Sequence, residues 1–224
     1  MPLLDVLLST LAPHHCIVCG AEGRLVCAWC APDAFPELPS RCYRCQKLSS
    51  DSAVCNTCRK QTALRHVWIR TDYSVAAKEL LRLYKFERTR AAANIIAHAM
   101  EEMLPYLSDD IIVIAVPTAT SRVRQRGYDH AALLARAIAG KRKLLWVPAL
   151  ANLAQTRQVG ANRQKRLEQL EDNFLVTKPE IIKGSHILLI DDVLTTGATL
   201  ETAAKALKQA GAKTVDALIF AQRQ

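Results

Sequence analysis

Apolar positions change their spacing several times along the chain, and each change predicts an element. HVWIRTDY, residues 66–73, has strand character and ends at Ser74, a side chain suited to opening a helix. VAAKELLRLYKFE follows at helical spacing, with Leu80, Leu81 and Tyr84 on one side. AAANIIAHAMEEML predicts a second helix that stops before Pro105. IIVIAV, residues 111–116, is a short apolar run of the kind buried on both faces of a parallel sheet. DHAALLARAIAG predicts a helix capped by Asp129 and stopped by Gly140. LLWVPAL, FLVT and HILLI read as strands, TLETAAKALKQAG as an amphipathic helix closed by Gly211, and KTVDALIFA as a last strand. Strands alternating with helices predict an α/β fold with a doubly wound, mostly parallel sheet. Such sheets bind ligands at the carboxyl ends of their strands.

Residues 1–60 break this rhythm. All eight cysteines lie there as four C-x-x-C pairs: Cys16/Cys19, Cys27/Cys30, Cys42/Cys45 and Cys55/Cys58. Two intervening residues let a tight knuckle aim both thiolates at one point, where Zn²⁺ accepts them at about 2.3 Å. Eight thiolates suffice for two closed tetrahedral sites. A disulfide framework would need an oxidising compartment, and the N-terminal stretch lacks the basic start of an export signal. The pairing stays open. The proline-rich spacer APDAFPELPSR favours 16/19 with 27/30 and 42/45 with 55/58, although spacing also permits interleaving. His14 and His15 are left as surface side chains. The expected division is a cysteine-rich double zinc ribbon over 1–60 and an α/β domain over 61–224, with the small module folding around its metal.

Composition then limits the class. Half of the residues are hydrophobic, which excludes disorder as the main state, and no run approaches the roughly 18–20 apolar residues of a membrane span. A cytoplasmic location is the expectation. The net charge of +9 favours an anionic partner, and its distribution is uneven. Six basic and five acidic side chains fall within the first 60 residues, so the excess sits almost wholly in the second module.

The richest chemistry lies at HILLIDDVLTTGATL, residues 186–200. An apolar strand runs into Asp191 and Asp192 and then into Thr195, Thr196, Gly197, Ala198 and Thr199 before a helix. Side chains alternate in a strand, so both acids serve one ligand only if the chain leaves the strand there. The loop suits phosphate: Gly197 permits close backbone approach, the threonines add hydroxyls, and the amides opening the helix point at an anion. Two carboxylates beside a phosphate cradle suit the hydroxyls of a sugar phosphate. The pattern is not a Walker A loop.

ILLIDDVLTTGAT resembles the phosphoribosyl-pyrophosphate (PRPP) signature of type I phosphoribosyltransferases. With the cysteine pairs, the whole chain resembles the ComF family of competence-associated phosphoribosyltransferase-like proteins, which includes GntX-type DNA-utilisation proteins. Three further segments carry the likeness. LLRLYKFERTR resembles the family's Leu-Lys-aromatic segment, with Lys85 as its lysine. VPTATSRVRQRGYDHAALLA resembles its pyrophosphate-loop region, with the Arg-Gly-aromatic step at Arg126, Gly127 and Tyr128. TRQVGANRQKR resembles its T-x-x-Q-x-G…R segment, through Gln158, Gly160, Arg163 and Arg166. The chain departs from the family at Asp129-His130, where Asn-Gln is common, and at Lys165, where an acid is common.

The resemblance implies a role for each residue. Thr195, Thr196, Gly197, Ala198 and Thr199 would hold the 5′-phosphate, and Asp191 and Asp192 the ribose and the positive charge developing on it. The loop starting at Pro117 and Thr118 would face the pyrophosphate, with Arg122, Arg124 and Arg126 offsetting its charge. Lys85 would also bind PRPP, and Mg²⁺ would be carried by the ligand rather than by a protein cage. Arg122, Arg124, Tyr128, Arg163, Lys165 and Arg166 would form a lid or touch nucleic acid. Against this, SRVRQR also reads as a solvated loop, Tyr128 as a packed aromatic, and Lys141-Arg142-Lys143 as a complement to its own helix dipole. His98 and Met100 read as ordinary helix side chains. The implied function is binding of PRPP, or a related phosphoribosyl ligand, with Mg²⁺ during DNA uptake or utilisation. Single-stranded DNA and other competence proteins are its expected partners. An active transferase in nucleotide salvage and a PRPP-sensing regulator are the alternatives; no hood for selecting a base is recognisable.

Overall fold

The computed structural model describes residues 14–87, 90–118, 123–125, 127–152 and 174–223. Among the described residues of the cysteine-rich region are two short α-helices, α1 (Ala31–Ala34) and α2 (Asn56–Arg59). Next come β1 (Val67–Asp72), α3 (Val75–Phe86), α4 (Arg90–Glu101), β2 (Ile111–Ala115), α5 (His130–Arg142) and β3 (Leu145–Trp146). The chain closes with β4 (Leu150–Asn152), β5 (Phe174–Val176), α6 (Pro179–Ile182), β6 (His186–Leu194), α7 (Ala198–Gln209) and β7 (Thr214–Gln222).

The main sheet has the order β1-β7-β6-β2-β3, and every pairing within it is parallel. β4 and β5 form a separate antiparallel pair. The period of two along the strands sorts their apolar side chains onto two faces. Trp68, Val113, Leu188, Ile190, Leu218 and Phe220 share one core with α3, α4 and α5. Val67, Ile69, Ile112, Ile114, Leu189 and Ile219 share another with Leu200, Ala203, Ala204 and Leu207 of α7. Helices on both faces make the sheet doubly wound, as the alternation of elements predicts.

Local signals act where expected. Ser74 caps α3 by accepting the Ala77 N–H, and Asp129 caps α5 by accepting the Ala132 N–H. Two expectations need correction. Gly140 does not stop α5, which runs on to Arg142 and ends with Lys143 at φ +55°. The Arg142 guanidinium donates to the Glu101 and Leu104 carbonyls, each at 2.9 Å. It thus serves the end of α4 rather than its own helix. LLWVPAL is not one strand either: it divides into β3 and β4, which join different sheets, with Pro148 between them. Proline cannot donate to a ladder, so the change of sheet falls there.

β1 is an edge strand, and the cysteine-rich region covers it. Val54 N–H donates to Arg65 C=O at 2.8 Å, and the Trp68 indole donates to Asp51 at 3.0 Å. Leu25, Val26 and Phe35 enter the first core, with the Phe35 ring edge-on to Phe220 at 5.3 Å. Cys42, Tyr43, Val54 and Leu64 enter the second. The chain leading into this edge strand is thereby paired at Arg65 and His66, and the Trp68 side chain is held. Arg65 grips buried Asp216 of β7 with two hydrogen bonds, at 3.0 and 2.6 Å.

Candidate functional site

The eight cysteines gather into two groups, Cys16/Cys19/Cys27/Cys30 and Cys42/Cys45/Cys55/Cys58, and within each the sulfurs lie within 4.8 Å of one another. The sequential arrangement is therefore the one formed. All eight are free thiols. A tetrahedron with metal–sulfur arms of about 2.3 Å has edges of about 3.8 Å. The Cys19–Cys27 and Cys45–Cys55 sulfurs stand 3.7 and 3.6 Å apart, so the donor geometry fits such an ion. The crowding also splits the thiols. Backbone N–H groups, first that of Cys19, hold Cys16 down to about 6, while hydrogen bonding with Cys27 pushes Cys30 up to about 12. A divalent cation would replace the protons that keep these thiols apart in charge.

The second concentration of chemistry lies at the carboxyl ends of β2 and β6. Contrary to the expectation from shared use of the two acids, β6 does not leave the sheet at Asp191 and Asp192. It continues to Leu194 because β7 supplies ladder partners up to Gln222. Asp192 is buried, and its Oδ2 meets Lys85 Nζ of α3 at 2.6 Å and His130 Nε2 of α5 at 3.0 Å. Thr118, just past β2, donates to Asp129 at 3.0 Å and lies 3.4 Å from His130 Nδ1. Tyr84 donates its hydroxyl to the His130 carbonyl, and Tyr128 donates to the Tyr84 carbonyl.

These neighbours divide the two acids. For Asp192, burial acts upward most strongly, but the His130 hydrogen bond and the Lys85 charge overcome it and bring the carboxyl down to about 2. Among the described residues no cation pairs with Asp191, which the Lys85 charge reaches more weakly. Burial first, and then the charge of Asp192, push it up to about 8, although its Oδ1 accepts the Asp192 N–H at 2.8 Å. Near neutral pH one carboxylate is thus ionised and locked while its neighbour tends to keep a proton.

Past β6, Thr195 and Thr196 are exposed, and Gly197 stands at the N-cap of α7 with φ +79°. Glycine adopts that conformation without strain, and it brings no side chain to the amides of the first turn. A cavity of about 960 Å³ opens beside this loop, lined among others by Arg41, Tyr43, Arg44, Thr195, Thr196 and Arg223.

The fold therefore gathers Lys85, Asp192 and Thr118, with Asp191 next to them, and Thr195, Thr196, Gly197, Ala198 and Thr199 follow where β6 ends and α7 begins. Pro117 precedes Thr118 at the end of β2. Tyr128 is a packed aromatic, edge-on to Tyr84 at 6.2 Å. Arg124 is exposed in a single helical turn. Arg122, Arg126, Arg163, Lys165 and Arg166 lie outside the described residues. Sequence reasoning gave His130 no role beyond a departure from the family pattern; a histidine following a helix cap in the pyrophosphate-loop region was its only signal. Glu201 and Tyr43 were missed as well.

A model of the phosphoribosyl transferase domain matches residues 123–224. Competence protein ComFC of Bacillus subtilis (strain 168) is 28% identical over 180 residues, covering 76% of this chain and 72% of that protein. Competence protein ComFC of Streptococcus pneumoniae (strain ATCC BAA-255 / R6) is 29% identical over 180 residues, covering 80% and 74%. The DNA utilization protein YhgH of Salmonella typhimurium is 27% identical over 224 residues, covering 92% and 90%.

Proposed function

We propose, from its likeness to ComFC and YhgH over most of its length, that this chain is a ComF-family protein that binds PRPP, or a related phosphoribosyl ligand, together with Mg²⁺. The setting is DNA uptake or utilisation, with single-stranded DNA as a partner. One observation carries the reading. Asp192, locked by Lys85 and His130, sits beside Asp191 on a strand that runs directly into a Thr/Gly loop and the start of a 12-residue helix. The helix start and loop amides suit a 5′-phosphate. Because β6 stays in the sheet at the acids, one carboxylate at a time faces a given ligand, and it suits ribose hydroxyls and positive charge building at the anomeric carbon. Mg²⁺ binds largely through ligand phosphates and keeps several waters, and the two acids beside the loop suit that mode. When bound, it neutralises pyrophosphate charge. Lys85, Thr118 and Arg126 are assigned to the pyrophosphate side, and the two cysteine groups to one structural Zn²⁺ each.

Calorimetry with PRPP and Mg²⁺ tests the site. The wild type should bind, and the double variant Asp191→Asn/Asp192→Asn should lose binding while keeping its circular dichroism spectrum. Equal affinity in both proteins overturns the assignment. Release of pyrophosphate in the presence of a panel of bases and amines would move the reading to an active transferase. For DNA, charge reversal at Arg122, Arg124 and Arg126 should weaken binding to a single-stranded oligonucleotide. Unchanged binding removes those loops as the contact.

A further inference from the structure

The second cysteine group does more than pack against the sheet. Its first knuckle is Cys42-Tyr43-Arg44-Cys45, and both residues between the cysteines reach Glu201, in the first turn of α7. The Tyr43 hydroxyl donates to Glu201 Oε1 and meets Thr62 Oγ1 at 2.9 Å. Arg44 Nη1 donates to the same Glu201 oxygen at 2.9 Å, and the Ala63 N–H approaches the other at 3.4 Å. Tyr43 is buried, and only 13% of the Glu201 side chain is exposed. The Tyr43 ring closes on the loop itself. A Cβ placed on Gly197 would stand 3.4 Å from Tyr43 Cε2. The residue that turns the chain into α7 is therefore backed by an aromatic ring, and the helix start is tied down by a carboxylate held from three directions.

We propose that the metal-bound Cys42/Cys45/Cys55/Cys58 knuckle is a positioning element of the phosphate loop, acting through Tyr43 and Glu201, so that loading of this second site sets the affinity of residues 195–199 for a phosphate ester. The affinity clause rests on the reading of 195–199 as the phosphate loop. The mechanical clause does not. A knuckle without its ion loses the constraint that fixes the two residues between its thiolates. Tyr43 and Arg44 then no longer hold Glu201, and α7 and Gly197 gain freedom that an anion must remove again on binding. Among the described residues, the first cysteine group has no such route to the loop. Its neighbours Leu25, Val26 and Phe35 pack on the opposite face of the sheet.

The test uses the full metal-loaded chain and the variants Tyr43→Phe, Glu201→Gln, Cys45→Ser and Cys19→Ser. Two quantities are read: amide hydrogen exchange over residues 195–201, and PRPP–Mg²⁺ affinity by calorimetry. Tyr43→Phe keeps the ring and both metal sites, so it remains informative where a cysteine variant unfolds. It should speed exchange at 195–201 and weaken PRPP binding by about tenfold, the scale of one buried hydrogen bond. Cys45→Ser should do the same or more, whereas Cys19→Ser should leave both readouts of the folded protein near wild type. A merely structural Tyr43 would lower the melting temperature and leave the affinity of folded protein unchanged, and that result overturns the proposal. So does loop exchange that Tyr43→Phe leaves unaltered, or that Cys19→Ser raises equally. If the wild type binds no PRPP, the phosphoribosyl reading fails, and the exchange data still decide whether the knuckle holds the loop.

Discussion

Replacing Lys85 by methionine removes an ammonium that stands 2.6 Å from the Asp192 carboxylate while keeping the bulk of the stem. Asp192 is held at about 2 against a usual 3.8, and each pKa unit is worth about 1.4 kcal/mol. The cations therefore outweigh the burial cost. After Lys85→Met the burial cost remains and His130 alone answers it. Removing one side of a buried ion pair costs about 3–5 kcal/mol. With His130 retained, the low end applies, and we expect a loss of about 3 kcal/mol at pH 7. The sign with pH follows. Asp192 has a depressed folded pKa, so its stabilisation is present above 3.8 and lost as pH falls through about 2. Lys85→Met and wild type should converge there. The assay is urea unfolding of wild type, Lys85→Met, Asp192→Asn and the double variant, with a coupling energy of about 2 kcal/mol expected. A Lys85→Met protein as stable as wild type, or a coupling near zero, refutes the geometry as the source of the Asp192 charge.

Three further outcomes are expected. Asp191 has a raised folded pKa of about 8, so its contribution falls as pH rises from 3.8 through 8. Asp191→Asn should be more stable than wild type at pH 8, with the gain vanishing below pH 4 in thermal melts across that range, even as ligand binding weakens. Metal analysis should return about two Zn per chain, and a strong chelator should abolish the near-ultraviolet signal of the cysteine-rich region; one ion or none contradicts two closed sites. Asp216→Ala removes the acceptor for Arg65 and for the His66 N–H at a buried position, so chemical unfolding should show a loss of about 3 kcal/mol; a loss below about 0.5 kcal/mol, the scale of an ordinary surface substitution, would show that the Arg65–Asp216 pair contributes no net stability.

Much of the fold was legible because its signals are local. Ser74 and Asp129 cap helices through their own side chains, and the runs at 111–116 and 186–190 are apolar whichever neighbour they meet. The failures have equally physical causes. Gly140 is tolerated inside α5 because a residue three places later, Lys143, takes the left-handed turn instead. β6 outruns its apolar stretch because β7 offers backbone partners beyond it, something no window of β6 residues contains.

Taken alone, the sequence determined the alternation of strands and helices, the four cysteine knuckles and the acid-acid-Thr/Gly segment, since periodicity, spacing and residue chemistry act over a few positions. Tertiary structure decided which acid is ionised. Lys85 and His130 come from two other elements, and only their convergence on Asp192 separates it from Asp191. It also decided that the cysteine-rich region and the α/β sheet share both hydrophobic cores, and that Tyr43 reaches Glu201 across 158 residues of chain. Contacts between distant residues depend on where the sheet and the metal knuckles place them, and that placement is set by packing rather than by any local pattern.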